Sequence, residues 1–398
     1  MKTREAMVID YLRKARLEVL EEQVAIAEIP CRDYRADERA ARLMRAWQRE
    51  GLRPRRDKVG NVVAVRKGLS TSLKALSLSE GNVPATKPTL VLCAHIDSVF
   101  YGVEKIKVRR RGNKLFAPGI CDDASGVANL ILLARAMRKS GVETAGDVVF
   151  VGSVGEESCG RIWGMEHFWR KARWARPYFV AVDGATPGKI VLVGLSSWSP
   201  TVKVTGPGGH SFANFGRPNP IHMIARLVAK ATTMKADRSK DAIYNANLVS
   251  GGTAVNVIPE HASVTLNLRS SDARELVRMK KRVEKFIREA RAEELRWATS
   301  KKRLAVEMTA KGRKGGRTQA KHELVKAAVA AMKKEGLRPK FDVSSTDANM
   351  PLSLGIPAIT IPAGGTCGNI HSLEEWHDTT GRTKELAALA RLVFSVVG

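Results

Sequence analysis

Long apolar runs are missing from this sequence. No stretch approaches the roughly 18 residues that a membrane helix needs, so no membrane span is expected. The first residues, MKTREAMVIDYLRKARLEVLEEQ, carry charges throughout and have no apolar centre, so they are not expected to act as a secretory leader. Cysteine is sparse as well: five among 398 residues, an odd number without regular spacing. That argues against a disulfide framework and for reduced thiols in a cytoplasm. Acidic residues are in deficit, 40 against 67 Lys and Arg, which leaves a net charge of +27. Such an excess suits nucleic acid, an anionic membrane or acidic substrates. Here it is spread over Lys105–Lys114, Arg170–Arg176, Lys280–Arg291 and Lys311–Lys321. None of these segments carries a zinc-finger, RNP or helix-turn-helix pattern. A solvated basic surface is therefore expected, with neither nucleic acid nor membrane as partner.

The apolar pattern that is present describes an α/β protein. Residues 7–30 and 37–50 read as amphipathic helices, with Val8, Leu12, Ala15 and Val19 on one face. Thr89–Ala94, Val148–Val151, Tyr178–Val182 and Ala358–Ile361 are continuous apolar runs, as in strands buried on both faces of a parallel sheet. Helical patterns lie between them, so a three-layer α/β/α sandwich with a mostly parallel sheet is expected over residues 1–196 and 311–398. Residues 197–310 read differently. Strands at 199–204, 243–250, 262–269 and 304–309 alternate with two helices. One helix starts at Asn219-Pro220 and the other near Asp272, with Glu275 placed for a capping box. This β-α-β-β-α-β order predicts an inserted α+β domain of ferredoxin-like type. The polar stretch 67–88 reads as a loop or insertion, and 311–321 as the return linker.

Carboxylates and histidines cluster at the predicted strand ends, the edge where open α/β sheets bind ligands. Ala94-His95-Ile96-Asp97 ends one strand, and residues i and i+2 of an extended chain point the same way. Asp122-Asp123 precedes an apolar helix, where paired acids either offset the helix dipole or bridge two cations. Glu156-Glu157 follows a third strand and Asp183 a fourth, while His371 lies in a loop after a Gly-rich stretch. Two adjacent acids such as Glu156 and Glu157 can divide labour, one as ligand and one as general base. Two histidines with three or four carboxylates suit zinc, cobalt or manganese, and five such ligands with one bridging carboxylate suit a pair of ions. Cys93 and Cys121 read as small buried fillers rather than ligands.

The motifs AHIDSV, PGICDDASG, VGEES, VDG, GPGGHS, GGTAVNVIP and NIHSLEEW occur in that order. Together they resemble the dinuclear zinc metallopeptidase family of peptidase T, carboxypeptidase G and aminoacylase-1. SSTDANMPLSLGIP, 344–357, is most like the peptidase T side. The resemblance implies that His95 and Asp183 hold one zinc, Glu157 and His371 the other, and that Asp122 bridges them. It implies that Asp97 orients His95 and that Glu156 is the general base. It also implies a cis peptide bond at Asp122–Asp123. In the inserted domain, read as a lid and dimerisation domain, it implies that His210 reaches the site of a partner subunit in a homodimer. Asn256 would bind substrate backbone and Arg269 a substrate carboxylate. The implied activity is hydrolysis of amide bonds in di- or tripeptides. Two rivals stand beside it: an N-acyl-amino-acid deacylase of acetylornithine or succinyl-diaminopimelate type, and a non-catalytic polyanion-binding protein on the same fold.

Overall fold

The structure, a computed structural model, describes residues 3–69, 87–157, 161–172, 174 and 176–398. Most of the polar stretch 67–88 lies outside the described residues. The chain divides into two compact units, Met1–Gly194 with Gly316–Gly398, and Leu195–Gly315.

The first unit is built on a nine-stranded mixed sheet. Its central strands are Val148–Ser153, Thr89–His95, Pro177–Val182 and Ala358–Ile361, neighbours in that order and mutually parallel. Their unbroken apolar character has a direct cause. Leu90, Leu92 and Ala94 face one core, packed with the helices Ala124–Lys139 and Arg382–Val397. Val91 and Cys93 face a second core with Phe168 and Trp169 of the helix Trp163–Lys171. A strand covered on both faces has no polar side to show. Parallel neighbours also finish at a common edge, which gathers their C-terminal residues.

Two local readings change. The stretch 7–30 is not one helix: Arg4–Lys14 and Arg16–Ala27 break at Ala15, whose ψ is 26°. The first segment packs on Arg382–Val397 and the second on Ala124–Lys139, so the break aims each at its own neighbour. The return linker is partly ordered, since Gly316–Arg317 pair with Val193 and Gly194. The strands Lys189–Gly194 and Lys340–Ser344 were not anticipated. Lys340–Ser344 is largely exposed and lacks the apolar run that marks the central strands.

The second unit is a four-stranded antiparallel sheet in the order Ile243–Gly251, His261–Ser270, Ser196–Thr205, Ala305–Lys311. On His261–Ser270 the residues Ala262, Val264, Leu266 and Leu268 are buried and their neighbours are not. The helices Pro220–Thr232 and Ala273–Trp297 supply that core with Met223, Leu227, Met279 and Val283. Asn219 caps the first helix through Ile221 N at 2.8 Å. Asp272 caps the second through the amides of Arg274 and Glu275. The expected capping box does not close. Glu275 pairs with Arg278 instead, and the Asp272 amide donates to Ser270 Oγ.

Candidate metal centre

All the site residues foreseen in the first unit converge at the carboxyl edge of its sheet. His95 is the last residue of its strand and is buried. Its Nε2 lies 2.8 Å from Asp122 Oδ1. His371 Nε2 lies 3.2 Å from Asp122 Oδ2 and 3.0 Å from Glu157 Oε1. Asp183 follows the strand Pro177–Val182, and its amide donates to Ile361 O. Two groups of donor atoms result, each within 4.8 Å: His95, Asp122 and Asp183, and Asp122, Glu157 and His371. Asp122 belongs to both.

The two readings of the paired acids turn out to divide between them. Asp123 caps the helix Ala124–Lys139 through Gly126 N and also accepts from His95 N. Asp122 turns into the site, across a peptide bond that is cis. Asp97 stands against His95 and also against the loop of Glu156 and Glu157. The His95 ring nitrogen Nδ1 meets the Asp97 main-chain carbonyl at 3.1 Å, with the carboxylate at 3.7 Å. That carboxylate accepts from the amides of Glu156 and Glu157. It therefore holds the loop that carries both acids.

The electrostatics follow from crowding acids out of water. Burial and the neighbouring Asp122 charge push the Asp183 carboxyl well up. Burial likewise raises Glu157, and raises Asp97 to about 7. Burial pushes Asp122 upward too, but hydrogen bonds with His371 and His95 outweigh it and hold it below the usual range. His371 is raised to about 10 by its bonds to Asp122 and Glu157. Buried carboxylates in this number need cationic partners. Two imidazole nitrogens and three carboxylates, gathered beside one cavity in two groups that share Asp122, fit divalent cations by donor chemistry. The cavity holds about 230 Å³ and is lined also by Glu156, Lys189 and Thr346.

The chain belongs to the M20/M25/M40 peptidase family. That family's model matches residues 91–397. The M20 chain is 27% identical over 184 residues to carboxypeptidase G2 of Pseudomonas sp. (strain RS-16), covering 45% of this chain and 43% of that protein. It is 25% identical over 287 residues to succinyl-diaminopimelate desuccinylase of Corynebacterium glutamicum, covering 69% and 73%. It spans about half the length of most of the curated relatives it matches. Its fold is similar to that of aminopeptidase PepT from Bacillus cereus ATCC 10987, with a TM-score of 0.74, 20% identity and coverage of 96% and 98%. A tripeptidase from Staphylococcus aureus gives 0.79, 18%, 96% and 98%.

The three foreseen residues of the second unit are all exposed. His210 and Asn256 come together, for Ser211 N donates to Asn256 O and His210 pairs with Val257. Arg269 does not join them. It lies near the other end of the strand His261–Ser270, roughly 25 Å from His261 at about 3.3 Å per residue. Its Nε is bonded to Asn267.

Residues missed in the sequence are those that support rather than face the cavity. Glu375 is fully buried and accepts from three amides of the loop carrying Asp122. Asp347 is buried beneath the strand ends, accepting from Cys93 and Ser153. Both lie inside motifs already noted, NIHSLEEW and SSTDANMP, but nothing local marks their targets.

Proposed function

We propose that this M20 hydrolase cleaves amide bonds of short peptides, di- or tripeptides, with two divalent ions, zinc in the first instance. The observation that carries the reading is the pair of donor groups sharing Asp122, with Glu156 in the same cavity. His95 and Asp183 would hold one ion, Glu157 and His371 the other, and Asp122 both. Divalent ions in such a site supply Lewis acidity, which makes water acidic near neutral pH and polarises a carbonyl. Glu156 accepts the proton of the attacking water on its carboxylate and delivers it to the leaving amine. Asp97 keeps Glu156 and Glu157 in place through their amides. Arg269 pairs with a substrate carboxylate through its planar fork. His210 and Asn256 serve the site of a second copy in a homodimer, where His210 stabilises the developing oxyanion and Asn256 binds substrate backbone. Their separation from Arg269 within one copy supports this division. The free thiols of Cys31, Cys93, Cys121 and Cys367 support a cytoplasmic setting.

A second reading has its own support. The match to the desuccinylase covers more of both chains than the match to carboxypeptidase G2, which favours N-acyl-amino-acid deacylation. One experiment separates them: metal content of the purified chain, with hydrolysis of tripeptides, dipeptides and N-acyl amino acids with and without a chelator. The expected result is about two ions per chain and chelator-sensitive cleavage of peptides. Cleavage of acyl amino acids alone would replace the peptidase reading with the deacylase one.

A further inference from the structure

Glu375 stands four residues beyond His371 and is completely buried. Its main chain closes a small sheet: Trp376–Asp378 pairs with Lys114–Phe116, and Ala117 N donates to Glu375 O at 3.1 Å. Its side chain continues that pairing into the next loop. Glu375 Oε1 accepts from Cys121 N at 2.8 Å and Asp122 N at 3.0 Å. Glu375 Oε2 accepts from Gly119 N at 3.1 Å. Three backbone amides of the loop 119–122 thus hang on one carboxylate. No other side chain in the described residues bonds the Asp122 amide, and the loop's path is constrained further at Gly119, where φ is +69°.

The choice of residue type is informative. All three partners are N–H donors, divided between the two side-chain oxygens. Only a carboxylate offers acceptors at both ends at this length. Glutamine has the same shape, but whichever way its amide is turned, an NH₂ group meets an amide N–H. A buried carboxylate is costly to keep, and here it sits beside the further negative charge of Asp122. Simple packing does not call for it. A loop that must present Asp122 at one position does, because a ligand shared by two donor groups has the least freedom to move. Loss of such outer supports of metal ligands typically costs about 10- to 100-fold in affinity.

We propose that Glu375 is a positioning residue, which ties the loop of His371 to the loop of Asp122 and sets the shared ligand between His95 and His371. The inference rests on the metal-binding reading of the site above. It goes beyond that reading by assigning the geometry of the shared ligand to a residue that touches neither cavity nor substrate.

The test uses the full chain and Glu375→Gln, with zinc titrated against a competing chelator. Cobalt-loaded protein supplies a visible absorption spectrum as a report of ligand geometry, and the metal-free melting temperature is measured alongside. We expect zinc affinity to fall about 10- to 100-fold with an altered cobalt spectrum. A variant that melts lower but keeps wild-type affinity and spectrum would show a purely structural role and overturn the proposal. Should Glu375→Gln not fold, Glu375→Asp keeps both acceptors on a shorter stem. Its expected result is a smaller loss of affinity with a shifted spectrum, and wild-type values in both would equally overturn it. Wild-type protein that takes up no metal in the same titration would instead bring down the metal-binding reading, and this inference with it.

Discussion

Glu156 and Glu157 are neighbours in sequence and stand in different surroundings. Glu157 meets His371, while Glu156 lines the cavity and belongs to neither donor group. Glu156→Gln should therefore leave metal content unchanged and cut turnover by about 100- to 10,000-fold, the range of a positioned general base. Metal analysis beside steady-state kinetics checks both halves. Near-normal turnover would remove Glu156 from its assigned role. Away from the cavity, Glu385 gives a residue-scale prediction about stability. It is buried in the first turn of Arg382–Val397, and its Oε2 has no hydrogen-bond partner among the described residues. Burial raises its carboxyl to about 7, against about 4.3 for an ordinary glutamate. Between those values the folded chain keeps a proton that the unfolded chain has released. Stability from this group is thus present at low pH and lost as pH rises through that window. Glu385→Gln should gain in melting temperature relative to wild type as pH goes from 4 to 8. A difference independent of pH would contradict the assignment.

At the scale of elements, both helices of the second unit begin at a side-chain cap. Pro220–Thr232 begins with Asn219 bonded to Ile221 N, and proline at its first position leaves one donor fewer to satisfy. Asn219→Ala should cost about 1 kcal/mol, read as a lower urea midpoint of the transition that includes this unit. An unchanged midpoint would show that the cap is replaced by water without loss. In the same unit Ile243–Gly251 is an edge strand whose side chains are mostly exposed, with Leu248 at 67% and Val249 at 66%. Exposed apolar edge strands invite pairing with another copy. This is the element on which the proposed homodimer would form.

At the scale of the whole molecule, that dimer has a kinetic consequence. If His210 serves a partner's site, specific activity should fall when the protein is diluted below its dimer dissociation constant. His210→Ala should be inactive as a pure homodimer. Mixed with a Glu156→Gln chain, it should recover part of its activity, since one of the two sites then has both groups intact. Sedimentation with parallel assays checks this, and a fully active monomer would reject it. The charge of +27 belongs to this scale too. No helix of the described residues is long and apolar enough to cross a membrane. The cavity is lined by both Lys189 and the carboxylates, with Lys189 itself paired to Asp342.

Much of the molecule was written in local pattern. Central strands read as apolar runs because both faces of the sheet are covered, and the inserted unit read as alternation because one face is not. Ligand candidates were legible because parallel strands end together, so acids and histidines at several strand ends imply one site. The remainder needed three dimensions. Asp97 and Asp123 are carboxylates like the others, and no spacing shows that they hold amides rather than face the cavity. The strand Lys340–Ser344 has too little apolar character to announce itself. Glu375 is separated by some 250 residues from the amides it binds. Periodicity records which face of an element is dry, a property of neighbouring residues. A hydrogen bond between distant loops depends on where two chains pass each other, and only the folded structure decides that.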